Sequence, residues 1–311
     1  MKSLPITWNA IPDTTGYLHT LVKSIAAILC HSQLSGTPIP PEDIITASGF
    51  AHRMWVAADL CPSAMSIWDF SQQTAWFENA GISCDYVSRM WEESALEPER
   101  RLAAEQQIKD GIDRGIGSAA WDVGGGEWGI IRGYDDAESL YEVLKPDGSI
   151  ETLPYGKLGN LGIPILSVLT PLKISSKPAD ILVRDTVRLA ASHLRGEEWS
   201  SGNVSGLAAY PALIACVENG AFDQTWNLDY YLGTYAALKA HAASFYDRHR
   251  ADHPICDVLA AAYSTVSDAW NHACQCSHAD IAADGNRRCI IDALHIAHTA
   301  EVRALAFMET V

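Results

Sequence analysis

Residues 115–158, GIGSAAWDVGGGEWGIIRGYDDAESLYEVLKPDGSIETLPYGKL, constrain the fold more than any other part of the chain. Residues 118–123, 127–134, 140–144 and 150–153 are short runs rich in aromatic and β-branched residues, which suit a pleated, half-buried surface. Between them stand GGG, DDAE and KPDG, where glycine supplies positive φ and Asp and Pro favour tight reversals. The pattern predicts four antiparallel strands. A further apolar run, residues 163–172 (IPILSVLTPL), predicts a strand that ends the sheet. Before the meander, residues 97–114 carry Leu102, Ala103, Gln106, Ile108 and Ile112 among charges, and Gly115 closes this predicted helix.

Beyond residues 172–180 (LKISSKPAD), a linker-like stretch, strand signals give way to helical periodicity. Helices are predicted over residues 180–194, 202–219, 228–250, 254–274 and 286–310. In the fourth, Val258, Leu259, Ala262, Tyr263, Val266, Ala269, Trp270 and Ala273 recur at spacings of three and four, making one wide apolar face. The expectation is an α+β chain: residues 1–172 as a helix-plus-antiparallel-sheet domain, and residues 173–311 as an all-helical bundle. An alanine-rich face left exposed on that bundle would favour a homodimer.

With 311 residues, 48% of them hydrophobic, the chain is long enough for two packed domains. The 38 acidic residues outnumber 22 basic ones, and a formal charge of −16 repels phosphate backbones and anionic lipid, so neither nucleic acid nor a membrane is an expected partner. No apolar run approaches the roughly 18–20 residues of a membrane span, and the amino terminus lacks a secretory pattern. A cytoplasmic location is therefore expected, with the eight cysteines as reduced thiols.

Taken together, a leading helix over residues 16–32, the strand GGGEWGIIRGYDD, the strand YEVLKP and the segment LPYGKLG resemble the papain-like fold of the C39-type peptidases. ASGFAHRMWV at residues 47–56 and LCPSAMSIWDF at residues 60–70 are similar to the branch named for the butirosin biosynthesis protein H amino-terminal domain, and GLAAYPALIACVENGAF at residues 206–222 resembles the Gly-Leu-x-Ala-Tyr helix found after that domain in the same family. The resemblance implies a cysteine in the first turn of the leading helix, a histidine opening the strand that runs to Gly133, and an Asp or Asn near the exit of the next strand. The expected first turn, residues 13–19, holds Thr15, Tyr17 and His19 but no cysteine; Cys30 lies about 16 Å further along at 1.5 Å per residue. Six residues before Gly133 stands Glu127, and Lys145 and Pro146 occupy the third position. Without thiol or imidazole, cysteine-peptidase acyl transfer has neither its nucleophile nor its base.

The resemblance places His52 and Arg53 near the start of the leading helix. Arg53 could fork onto a carboxylate or phosphate ligand, or pair with an internal acid such as Asp122 or Glu127. Trp121, Asp122, Trp128 and Tyr134 put aromatic and acidic groups on adjoining strands, as either the wall of a site for an amine-bearing or sugar-like molecule or an ordinary aromatic core. Strand alternation keeps Glu127 and Trp128 from both facing one cleft. His272, Cys274, Cys276 and His278 spell H-x-C-x-C-x-H, but on a continuous helix only 272 with 276 and 274 with 278 share a face, so one tetrahedral site over all four needs a break near residues 277–286; no metal is expected. The glycines at 124–126 lack the Lys-Ser/Thr ending of a phosphate loop, and no cofactor is expected. Glu301 and Arg303, with Arg287 and Arg288, read as solvated or paired charges.

The leading functional expectation is a non-peptidase papain-like protein that binds a small molecule between leading helix and meander, through Thr15, Tyr17, His19, His52, Arg53, Trp121, Asp122 and Trp128. The resemblance implies an alternative, acyltransferase chemistry of secondary metabolism that passes an acyl group from a carrier-protein thioester to an amine with Glu127 as general base. A cysteine peptidase and a protein-interaction module are the remaining alternatives.

Overall fold

The computed structural model describes residues 1–34, 39–66, 68–199, 201–278 and 284–311. In chain order the elements are β1 (Lys2–Ser3), α1 (Thr20–His31), α2 (Pro41–Ala47), β2 (Trp55–Val56), α3 (Gln73–Asn79), β3 (Ile82–Arg89), α4 (Glu97–Asp113), β4 (Ser118–Ala120), β5 (Gly129–Asp135), β6 (Leu140–Leu144), β7 (Ile150–Pro154) and β8 (Leu166–Ile174). There follow α5 (Ala179–Arg195), β9 (Val204–Ser205), α6 (Ala209–Asn219), α7 (Thr225–Arg248), α8 (Ile255–Ser277) and α9 (Asp284–Met308). The class is α+β. Two compact units result: Met1–Pro12, His19–Ile44 and Gly81–Ser176 form the first, and Asp13–Leu18, Ile45–Ala80 and Lys177–Val311 the second. The units interleave along the chain, unlike the contiguous blocks 1–172 and 173–311.

The first unit is built on an antiparallel sheet ordered β3-β8-β4-β5-β6-β7, with β1 paired to β5 beyond the end of β4. The predicted meander is β4 to β7. β4 is shorter than its sequence run, because the chain turns at Trp121 and Asp122 takes φ +61°. β3 and β1 were not expected, although ISCDYVSR in β3 has the Tyr and Val content of a strand. Ala104, Ile108 and Ile112 of α4 bury against Ala120, Ile131, Val143, Tyr141 and Val168. Ala119, Ile130 and Leu169 alternate away from that cluster and are also buried, and α1 packs on the strands that carry them. The central strands β8, β4 and β5 are therefore covered on both faces, while β7 at the edge is largely exposed.

In the second unit α7, α8 and α9 pack in succession, and α5 and α6 lie against α9. The predicted helix over residues 202–219 begins instead with β9, which pairs with β2, so this unit is not purely helical. Residues 45–66 are held on α7 by tyrosines one turn apart. Tyr235 Oη accepts from Trp55 N at 2.8 Å and donates to Trp55 O at 2.7 Å, and Tyr231 Oη accepts from Ala57 N and donates to Cys61 O. At Gly233, between them on α7, a β-carbon would stand 2.4 Å from the Tyr17 ring, so this close approach requires glycine. No helix among the described residues is long and apolar enough to cross a membrane.

Candidate functional site

α1 starts later than the sequence suggested. Its first residue is Thr20, because Asp13 organises residues 13–18 as a loop by accepting from the amides of Gly16 and Leu18. His19 occupies the position before the helix, and its carbonyl accepts the first helical bond from Lys23 N at 3.1 Å. The first turn is thus Thr20, Leu21, Val22 and Lys23, with Thr20 at its head. Threonine tolerates a helix start because its hydroxyl can bond outside the helix. Here Thr20 Oγ1 donates to Glu127 Oε2 at 2.6 Å and accepts from the Trp128 amide at 3.2 Å. Glu127 stands at the position the resemblance implies, whereas the expected first turn, residues 13–19, ends one residue short of Thr20.

Asp122 and Glu127 bracket the turn from β4 into β5. Asp122 tolerates its left-handed backbone because a short acidic side chain can bond locally. Its Oδ1 accepts from Gly126 N at 2.7 Å and its Oδ2 from Ile163 N at 3.0 Å, so the carboxylate ties the turn to the segment that leads into β8. Gly124 N closes the turn onto Glu127 O at 3.1 Å. Trp121 and Trp128 meet edge to face at 5.6 Å, both buried. They are packed rings rather than an open aromatic wall.

Beside this turn lies a cleft of about 470 Å³ within the first unit. Val123, Val143, Leu153, Leu161 and Ile163 give it apolar walls, and Asp122, Lys145, Glu151 and Thr152 supply polar groups. Lys145 Nζ pairs with Glu151 Oε1 at 2.9 Å, which raises the lysine pKa through that hydrogen bond. Lys145, read only as a departure from a catalytic pattern, is a rim cation of this cleft. Asp122 is the predicted contact residue that lines it.

Thr15, Tyr17, His52 and Arg53 belong to the second unit, where each has a structural partner. Thr15 Oγ1 donates to Gly233 O at 2.8 Å, and Tyr17 packs edge to face on Tyr230. Arg53 pairs with Glu198, not with Asp122 or Glu127: its Nε lies 2.5 Å from Glu198 Oε1, its guanidinium donates to Met65 O at 2.9 Å, and it lies 5.1 Å from the rings of both Trp55 and Trp68. Trp55 Nε1 donates to the same carboxylate. A lone buried guanidinium is costly to desolvate, and the carboxylate and ring faces compensate it.

His52 is fully buried between Tyr263 Oη at 2.8 Å and Tyr246 Oη at 3.2 Å. Burial, then the electrostatic influence of Lys239 and of His193, holds its pKa well below the usual range, so it is neutral. In the same unit the Glu301 carboxylate takes Lys239 Nζ at 2.7 Å and Tyr210 Oη at 2.8 Å, and Trp270 Nε1 donates to Tyr210. Lys239 and Glu301 are both 0% exposed, so the paired reading of Glu301 is the one realised. Hydropathy alone gave no sign of this connected polar interior.

Among the described residues, His272, Cys276 and Cys289 bring their ligand atoms within 4.8 Å of one another. Cys276 and Cys289 are disulfide-bonded, contrary to the expectation that all eight cysteines are thiols; the other six are thiols. Cys274 and His278 lie 3.9 Å apart, and the expected break around residues 277–286 falls partly outside the described residues. Compared with known proteins, the chain matches no protein-family model and no curated protein.

Proposed function

We propose that this chain is a papain-like protein without cysteine-peptidase chemistry that binds a small molecule in the cleft beside the Asp122–Glu127 turn. One observation carries the absence of peptidase chemistry: the amino end of α1 presents the Thr20 hydroxyl to Glu127 at 2.6 Å, where a cysteine peptidase presents a thiol to an imidazole. A hydroxyl is far less acidic than a thiol, and a carboxylate is a weaker base than imidazole, so this pair does not generate the peptidase nucleophile. An antiparallel sheet with α1 packed on it supports the papain-like reading. The cleft, with apolar walls and the Lys145–Glu151 pair at its rim, suits a zwitterionic or amine-bearing metabolite.

The test is a thermal-shift screen of the full chain against amino sugars, amino acids and polyamines. A ligand raises the unfolding temperature in proportion to RT ln(1 + [L]/Kd). The shift is expected to shrink in Lys145→Met and Glu151→Gln. A screen without any shift, or a shift indifferent to both substitutions, overturns the cleft as the site.

Acyl transfer from a carrier thioester to an amine, with Glu127 as general base on the amine, is a second reading, favoured by the hydrogen bond from Thr20 that orients the Glu127 carboxylate at the amino end of α1. It requires that Glu127→Gln folds and loses turnover with an acylated carrier protein. Full turnover in that variant removes the reading.

A further inference from the structure

We propose that His272, Cys276 and Cys289 form a redox-gated zinc site, in which the dithiol form binds Zn²⁺ and the disulfide form releases it. His272 and Cys276 stand four residues apart near the end of α8, so they share one helix face. α9 brings Cys289 to that face from the neighbouring helix, with a Cα–Cα distance of 6.3 Å to Cys276. His272 Nε2 lies 3.3 Å from Cys289 Sγ and 3.9 Å from Cys276 Sγ. In tetrahedral zinc, with bonds of about 2.3 Å to sulfur and about 2.0–2.1 Å to nitrogen, neighbouring ligand atoms are separated by roughly 3.5–3.8 Å. These two distances bracket that range, so small adjustments bring the imidazole to ligand spacing from both sulfurs once the disulfide is reduced.

The donor set selects the metal. Two thiolates and an imidazole are soft to borderline ligands, which favour zinc over magnesium or calcium. Three protein ligands leave a fourth position, and His272 is exposed while both cysteines are partly exposed, so solvent reaches it. The site takes the His272–Cys276 pair from the H-x-C-x-C-x-H spelling and completes it with Cys289 of α9, while Cys274 is buried and directed to His278.

The gating step balances. A zinc-bound dithiolate reacts with a low-molecular-weight disulfide, RSSR, and two protons; the Cys276–Cys289 bond forms, the RS–SR bond breaks, and two RSH and Zn²⁺ are released. The protein sulfurs lose two electrons and the small disulfide gains them. Metal binding and oxidation compete for the same two sulfurs, so each excludes the other.

The experiment uses the full chain. One sample is reduced with a phosphine that is then removed under anaerobic conditions, a second is oxidised with a small disulfide, and both are titrated with Zn²⁺ against a chromophoric chelator. The reduced sample is expected to bind about one zinc more per chain than the oxidised one, with affinity reduced at least about tenfold in His272→Ala and in Cys289→Ser but not in Cys274→Ser. Adding the small disulfide to the zinc-loaded wild-type chain should release zinc together with the loss of two titratable thiols. Co²⁺ substituted into the reduced wild-type chain supplies a readout that needs no variant, through thiolate-to-metal charge-transfer absorption. Equal zinc binding in the two redox states, binding unaffected by Cys289→Ser, or the absence of the cobalt band overturns the proposal.

Discussion

Replacing Thr20 by valine tests the contact at the head of α1, because valine keeps the shape and β-branching of threonine and removes only its hydroxyl chemistry. In the native protein that hydroxyl donates to a Glu127 carboxylate oxygen at 2.6 Å and accepts from the Trp128 amide at 3.2 Å. A hydrogen bond to a charged group contributes about 1.5–3 kcal/mol, and withdrawing an acceptor from a buried amide adds a desolvation cost of about 1–3 kcal/mol. The two overlap, so Thr20→Val is expected to lose about 2–4 kcal/mol. Thr20→Ser keeps donor and acceptor and removes one methyl, for a loss of about 1 kcal/mol. Denaturant unfolding followed by tryptophan fluorescence measures both, from the shift in midpoint at constant slope. A valine variant within about 0.5 kcal/mol of wild type, or a serine variant as damaged as the valine one, refutes the role given to the hydroxyl.

Lys239→Met leaves the Glu301 carboxylate buried without its cation and is expected to cost about 3–5 kcal/mol, whereas Lys239→Met combined with Glu301→Gln should recover part of that loss; a double variant no better than the single one, measured by the same unfolding assay, contradicts the coupling. Gly49 sits at φ +84°, and a β-carbon there would stand 2.6 Å from His193 Nε2, so Gly49→Ala should cost at least about 2 kcal/mol and lower the melting temperature by several degrees; an unchanged melting curve refutes the packing argument. Burial, then the charges of Arg53 and Lys239, pull the His193 pKa from 6.5 down to about 3, and His52 is lowered in the same direction. Between those values the unfolded chain holds the extra proton, so stability is complete above about pH 6.5 and falls as the pH drops, by up to about 1.4 kcal/mol per pH unit for each histidine. Equilibrium unfolding from pH 7 to pH 5 should show this slope and His193→Gln should flatten it; an equal slope in the variant assigns acid sensitivity elsewhere.

The sequence by itself determined the local elements. Turn residues such as KPDG and the β-branched runs around them defined β5 to β7, and apolar spacing defined α4, α5 and α7 to α9, because those signals repeat within a few residues of one another. The same logic located Glu127 at the turn into β5. It did not find Thr20, since the start of α1 depends on Asp13 drawing the preceding residues into a loop, and a helix boundary is weakly encoded by periodicity alone.

Only the tertiary structure decided which charged and polar groups meet. Arg53 has Glu198 as partner across 145 residues, Lys239 has Glu301 across 62, and Cys289 reaches His272 and Cys276 from another helix. Hydropathy would leave such residues in water, and local spacing cannot tell a solvated arginine from one caged by tryptophans. What fixes the difference is the cost of burying an uncompensated charge, which selects one partner out of many only once the helices are packed.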